Sequence, residues 1–449
     1  MVVPKAFQKI KIITILFLSF IFYLYLSQYG NQNGDINVHL DWAQSIFKHP
    51  LNDFYFRSKW RLTNPPTQPS LLNFLLYGSQ YIYQHRYFLY QLHNLFKIPP
   101  TSVLLFLDQH CPYLSIKFWP ILAVLVSSLF IYLTVKTRKN NQTGLLAMLF
   151  FLFNPLIIFQ TSFWGQFDIV SALPATLSIF LIPSQPILSP ILFTVSLLIK
   201  PTTAVLIPLY LTVYIKQHSI NKKGLCAFLL SLSLVFLSFY PFKSGSQNLV
   251  QSTLEIFQHR IAPASKGTVR ASVSAFNLYS LLFRIGLDNA SQPLAGFIKI
   301  NHLSFLLVLI SQSLIIYHYL HRYQKTSIFT YIFLSSQSIF LLATGMLERY
   351  FLVSIIASTI ILFNTKKRSI KRLILTHYLI AFINLFYAFY FRSSYRILNL
   401  FQSHNFLLIR FLSLFNLIIF LSLVKQLLKI PTSHLSFNQT SLNQHKIFR

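Results

Sequence analysis

Apolar runs approaching the ~20 residues that a helix needs to cross a bilayer recur along this 449-residue chain, from Ile12 to Leu26 near one end to Phe406 to Val424 near the other. Each run is continuous. A membrane barrel would instead show ~10-residue segments in which apolar and polar side chains alternate. The expected fold is therefore all-α, a polytopic membrane protein with residues 1–449 forming one integral membrane domain. Composition agrees, with 54% hydrophobic and only 10% charged residues and a mean hydropathy of +0.55.

Charge sets the expected orientation. Lys and Arg number 38 against eight Asp and Glu, a net +30. No basic, aromatic-interleaved soluble domain accompanies this excess, so nucleic acid is not an expected partner. The excess reads as anionic lipid head groups and cytoplasmic loops. Lys5, Lys9 and Lys11 precede the first run and no small-residue cleavage site follows it, so it reads as a retained helix. Placing this end in the cytoplasm gives about twelve transmembrane helices with both termini inside, in a multi-pass cell-membrane protein. A first extracytoplasmic loop then spans 28–117, with two shorter apolar pieces, Leu71 to Tyr83 and Ser102 to Leu107, suited to lie along the interface. A second spans 243–300, and a basic cytoplasmic tail spans 425–449. The inferred cytoplasmic segments hold no acid, so all eight acids fall on the outer face. An enzyme built this way would work outside.

Prolines Pro155, Pro174, Pro183, Pro186, Pro190, Pro201 and Pro208 break the central helices, either to line a cleft or as ordinary kinks. Cys111 and Cys226 fall on opposite sides and are not expected to pair. The histidines show no HxH or HExxH spacing and no Gly-rich phosphate loop occurs, so neither a zinc site nor a nucleotide-binding fold is expected.

The chemistry gathers in short stretches. Gly34 to Trp42, GDINVHLDW, places Asp35 and Asp41 just past the first helix. Asp35 reads either as a general base for an acceptor hydroxyl or as a helix N-cap after Gly34. Asp41 is a second candidate, but six residues on in a continuous helix it would point about 120° away. FWGQFD, Phe163 to Asp168, sets Trp164, Gln166 and Asp168 at one helix junction. That combination suits a sugar-stacking, hydroxyl-binding edge, or an interface anchor with Asp168 as N-cap. Asn64-Pro65-Pro66 reads as a turn before an interfacial helix. Lys200, Arg260, Lys266, Arg270 and Arg349 are outer cations that pair with a phosphate or snorkel to head groups, and Glu348-Arg349 is alternatively a plain ion pair.

In order, a first helix, the loop opening GDINVHLDWA, an NPP stretch, NPLIIFQTSFWGQFD, a Lys-Pro junction and a late ERY resemble bacterial GT-C glycosyltransferases over most of the chain. The resemblance implies a GT-C-like fold, a polyprenyl-phosphate-linked sugar donor and transfer on the extracytoplasmic face to a glycan, lipid or protein hydroxyl. It makes Asp35 the general base with Asp41 secondary, lets Arg349 help hold the lipid phosphate, and suits a mannosyltransferase. Outer Lys or Arg residues or a divalent cation would stabilise the phosphate as it leaves. A transporter or flippase for a lipid-linked or anionic substrate is the alternative, favoured by the proline-broken helices. A polymerase or ligase of surface glycans stays open beside both.

Overall fold

The computed structural model describes residues 5–31, 34–57, 60, 65–218, 221–245, 247–263, 270–294, 296–324, 326–390 and 395–429. The chain opens with α1 (Lys5–Leu26), α2 (Gly34–Lys48), α3 (Ser70–Gln84), α4 (Tyr87–Phe96) and α5 (Thr101–Arg138). It continues through α6 (Asn141–Leu152), α7 (Pro155–Ile158), α8 (Asp168–Leu181), α9 (Leu188–Ile199), α10 (Ile207–His218) and α11 (Lys222–Phe239). Then follow α12 (Leu249–Ile256), α13 (Leu278–Leu282), α14 (Ile300–Arg322), α15 (Ile328–Leu342), α16 (Ile355–Asn364), α17 (Arg368–Tyr390) and α18 (Tyr395–Leu428). Among the described residues the only paired strands are a two-residue hairpin, Pro293–Leu294 against Ile298–Lys299.

Six of the described helices are long and apolar enough to cross a membrane. The pair α6 and Pro155–Trp164, bent by 43°, brings the number to seven if it is one span, while α8, α9 and α15 are apolar but shorter. The chain is thus an all-α, polytopic membrane protein. Residues 430–449 of the expected cytoplasmic tail, with Asn64 and Lys266, lie outside the described residues.

Hydropathy misdivides one element. Ser102 to Leu107 and Phe118 to Val135 are two parts of the 38-residue α5, and Lys117, expected at a loop end, sits within it. The polar interruption that suggested a break, Asp108 and Gln109, is exposed and so costs the helix little. A second correction falls at Pro201, where a 3₁₀ turn, Pro201–Leu206, precedes α10.

Two apolar cores organise the fold. The larger joins α5 to α8, α15, α16 and α17 through Val124, Ile179, Phe329, Ile356 and Ile374. The smaller buries Ile36, Trp42 and Ile46 of α2 against Leu72 and Leu76 of α3, Ile116 of α5, Phe167 and Ile199. The first long loop of the sequence reading is therefore folded against the helices by its own core.

Between α1 and α2 the chain passes close to the π-helical turn Phe159–Trp164. Gly30 is left-handed at φ +74°, and a Cβ there would overlap the Phe163 carbonyl oxygen. Gly30→Ala is expected to destabilise by about 1–3 kcal/mol, through left-handed strain and the clash together. Thermal unfolding in detergent measures it; an unchanged midpoint would remove the constraint.

Candidate active site

Five sequence-distant segments meet at one cavity of about 290 Å³, the fifth being the stretch that brings Pro65, Thr67, Gln68 and Leu72 to it. The first is α2. Asp35, Val38, His39 and Trp42, spaced i, i+3, i+4 and i+7, form the stripe of the helix that lines it. Asp35 stands in the first turn of α2, where a carboxylate also suits the helix dipole. Asp41 falls off this stripe. It is buried and does not line the cavity, as its angular separation from Asp35 requires.

The second segment is the junction between α7 and α8. Asn154 caps α7, its side chain accepting from the Leu156 N–H at 3.0 Å, and Pro155 supplies the first helical residue. The turn that follows ends at Gly165, left-handed at φ +71°, where an added Cβ would crowd Ile36 and the Lys117 stem. This reversal delivers Gln166 to the cavity, where its Nε2 donates to Asp35 Oδ2 at 2.6 Å. Asp168 begins α8, but its side chain makes no cap. Instead Asp168 Oδ2 pairs with Lys200 Nζ at 2.7 Å and accepts from Gln160 Nε2 at 3.3 Å. Asp168 is fully buried and so lies behind the cavity wall.

The third segment is the end of α9. A residue before proline is pushed out of the helical region, and Lys200 before Pro201 is extended at φ −155°, ψ 124°. The helix stops there, and the Lys200 side chain reaches the cavity with Asp168 as its counter-ion. The fourth is the 3₁₀ turn Glu348–Ser354 after α15. Arg349 Nη1 lies 3.2 Å from Asp35 Oδ2 and 3.6 Å from Glu348 Oε1, with its guanidinium 6.0 Å from the Trp164 ring centre. Glu348 is buried and accepts from the Ser274 hydroxyl.

Of the residues singled out in the sequence, Asp35, Pro65, Gln166, Lys200 and Arg349 line one cavity. Trp164 and Asp168 support it from behind. Arg260 and Arg270 are elsewhere, the first over the Phe56 ring and the second bonded to the Leu287 carbonyl. His39, Trp42, Thr67 and Gln68 also line the cavity and were missed. The helical spacing of His39 and Trp42 from Asp35 was the available signal.

Electrostatics divide the site. Burial alone would raise the Asp35 carboxyl, yet Arg349, with Gln166 and Lys200, holds it below its ordinary 3.8. Its side chain is still 44% exposed, so it is the acid a ligand can reach. Burial raises Glu348 above its ordinary 4.5, making it the acid that keeps its proton more readily. Among the described residues no cluster of three His, Cys, Asp or Glu side chains is gathered for a metal. A larger open cleft of about 770 Å³ runs along α12, past Gln247, Glu255 and His259, and holds none of the candidates.

Burial brings His39 from 6.5 down to about 4. The folded state then keeps the ring neutral to about pH 4, whereas the unfolded chain takes a proton near 6.5. Stability is expected to fall by up to ~3 kcal/mol as pH drops from 6.5 to 4, and to lose no more from this ring below that. Denaturant unfolding across that window, compared with His39→Gln, isolates the effect. Equal slopes for the two proteins would show that His39 ionises freely in the fold.

Fold and site together define a polytopic all-α membrane protein with an acid and two cations converging on a cavity built from distant segments. No protein-family model matches the chain, and no curated protein matches it.

Proposed function

We propose that this protein is a membrane glycosyltransferase of GT-C type. In this reading it moves a sugar, mannose being the first to test, from a polyprenyl-phosphate donor to an acceptor hydroxyl on the extracytoplasmic face. The observation that carries it is the contact of a half-exposed carboxylate, Asp35, with Arg349 at a cavity that Lys200 and Gln166 also line. Base and phosphate-binding cations are the groups that such a transfer requires.

In the proposed reaction the acceptor oxygen bonds to the anomeric carbon as the bond to the phosphate oxygen breaks. The phosphate leaves with the electron pair, and the acceptor proton passes to Asp35. A phosphate competes with Asp35 for Arg349. As Arg349 turns toward it, Asp35 loses its strongest lowering partner and becomes a better base, so donor binding prepares the proton transfer. Lys200, balanced by Asp168, adds a second point of positive charge. Around the cavity Asp168 is engaged with Lys200, Asp35 with Arg349, and Glu348 with the Ser274 hydroxyl. The GT-C likeness and the twelve-helix topology with both termini inside belong to this same proposal.

Transport of a lipid-linked anion is the second reading, favoured by the 43° bend between α6 and Pro155–Trp164. Purified protein in liposomes, given a panel of polyprenyl-phosphate sugars and hydroxyl acceptors, tests both. Consumption of donor with formation of a glycosylated acceptor supports the enzyme. Movement of intact donor between leaflets, with none consumed, replaces it with the transporter.

A further inference from the structure

Beside its cations, the cavity is also lined by neutral and aromatic side chains. His39 and Gln68 line it beside Trp42 and Thr67. Two polar atoms of these residues, His39 Nδ1 and Gln68 Oε1, are buried and have no hydrogen-bond partner. A buried acceptor or donor left unpartnered is costly, and two of them at one cavity call for an explanation.

Their backbones are firmly held. His39 is fixed in α2, its ring 5.6 Å from Trp42 and edge-on to Phe167 at 5.3 Å. The Gln68 carbonyl accepts from the Tyr55 hydroxyl at 2.8 Å, and Asn73 Nδ2 donates to that hydroxyl at 2.6 Å. The protein thus spends hydrogen bonds positioning the Gln68 main chain while leaving its amide oxygen unpaired. A half-turn of the amide exchanges Gln68 Oε1 with Nε2, and the two tautomers of the imidazole place its N–H on either ring nitrogen, so each group can offer a donor or an acceptor to a ligand.

We propose that His39, Trp42 and Gln68 form a subsite for the hydroxyl-rich ring of a sugar, distinct from the Lys200 and Arg349 wall that meets the phosphate. This rests on the glycosyltransferase reading and assigns the sugar's place within it. A neutral imidazole and a carboxamide each both donate and accept, as paired ring hydroxyls require, and the indole supplies an apolar face for the ring's C–H bonds. The subsite carries no charge of its own to attract phosphate, so it separates recognition of the sugar from recognition of its carrier.

The test is binding to protein in nanodiscs of two probes, a polyprenyl phosphate and the same lipid bearing mannose. Wild type, His39→Phe, Gln68→Leu and His39→Gln are compared, each first shown to be monodisperse. The expected result is a wild-type preference of tenfold or more for the mannosylated lipid. His39→Phe and Gln68→Leu should erase it while changing affinity for the bare lipid less than about twofold, and His39→Gln, which keeps a donor and an acceptor, should restore part of it. A preference that survives in both folded variants overturns the subsite and leaves the enzyme reading standing, as does equal binding of the two lipids by wild type. Binding of neither lipid overturns both.

Discussion

Asp35→Asn is expected to lower sugar transfer by about 10²–10⁴-fold, the range for removing a general base, with donor affinity kept within a fewfold. Asn retains the size of Asp35 and an acceptor for Gln166 Nε2 and Arg349 Nη1, now 2.6 and 3.2 Å from Oδ2, but cannot take the acceptor proton. It also frees Arg349 of its exposed counter-ion, so phosphate should bind as well as before or better. That opposite movement of rate and affinity separates a base from a residue that merely shapes the cavity. Single-turnover transfer and donor binding in nanodiscs supply the two numbers. Transfer retained within tenfold would remove Asp35 from the chemistry. Because Asp35 is held below 3.8 in the free protein, its acid limb should appear only near or below pH 4 there. Its contribution to folding is likewise present above about pH 4 and lost as pH falls through its lowered value.

Lys117→Met is expected to destabilise the fold by about 3–5 kcal/mol, the cost of leaving a buried polar cluster without its ion. Lys117 is wholly buried within α5. Its ammonium, with three N–H bonds to give, is ringed by four acceptors, the carbonyls of Ser27 and Tyr29, each at 2.9 Å, Asn31 Oδ1 at 2.8 Å, and the Ser162 carbonyl. One cation therefore ties the end of α1, the chain leading into α2, and the turn that carries Trp164 and Gln166. Met fills the space of the stem but leaves three carbonyls and an amide oxygen unpaired. Lys117→Arg should rescue poorly, since a planar guanidinium cannot reproduce a compact point charge among these acceptors. Thermal unfolding in detergent gives the loss, and transfer activity should fall with it because Asp35 and Gln166 lose their common anchor. A midpoint within a degree or two of wild type would show that the cluster tolerates neutral occupancy.

The sequence alone determined the all-α membrane class, because bilayer crossing imposes continuous apolar runs that survive any tertiary arrangement. It also brought out Asp35, Gln166, Asp168, Lys200 and Arg349, since acids are few here and cations outside the expected cytoplasmic loops need a reason. Local rules account for the extended backbone of Lys200 before Pro201 and for the helix start at Asn154-Pro155, but neither was among the expectations drawn from the sequence. What it left open was pairing. Asp35 and Arg349 lie 314 positions apart, and only packing of α2 and the turn after α15 around the same cavity makes them neighbours. The same holds for Asp168, a plausible cap by sequence, whose carboxylate goes to Lys200 because a buried charge gains more from an ion than from a backbone N–H. Lys117 read as a loop terminus because hydropathy weighs a charge by type. Tertiary structure decided otherwise by surrounding that charge with carbonyls. His39 and Gln68, neutral and unremarkable in the chain, gained meaning only when folding buried them without partners at the cavity wall.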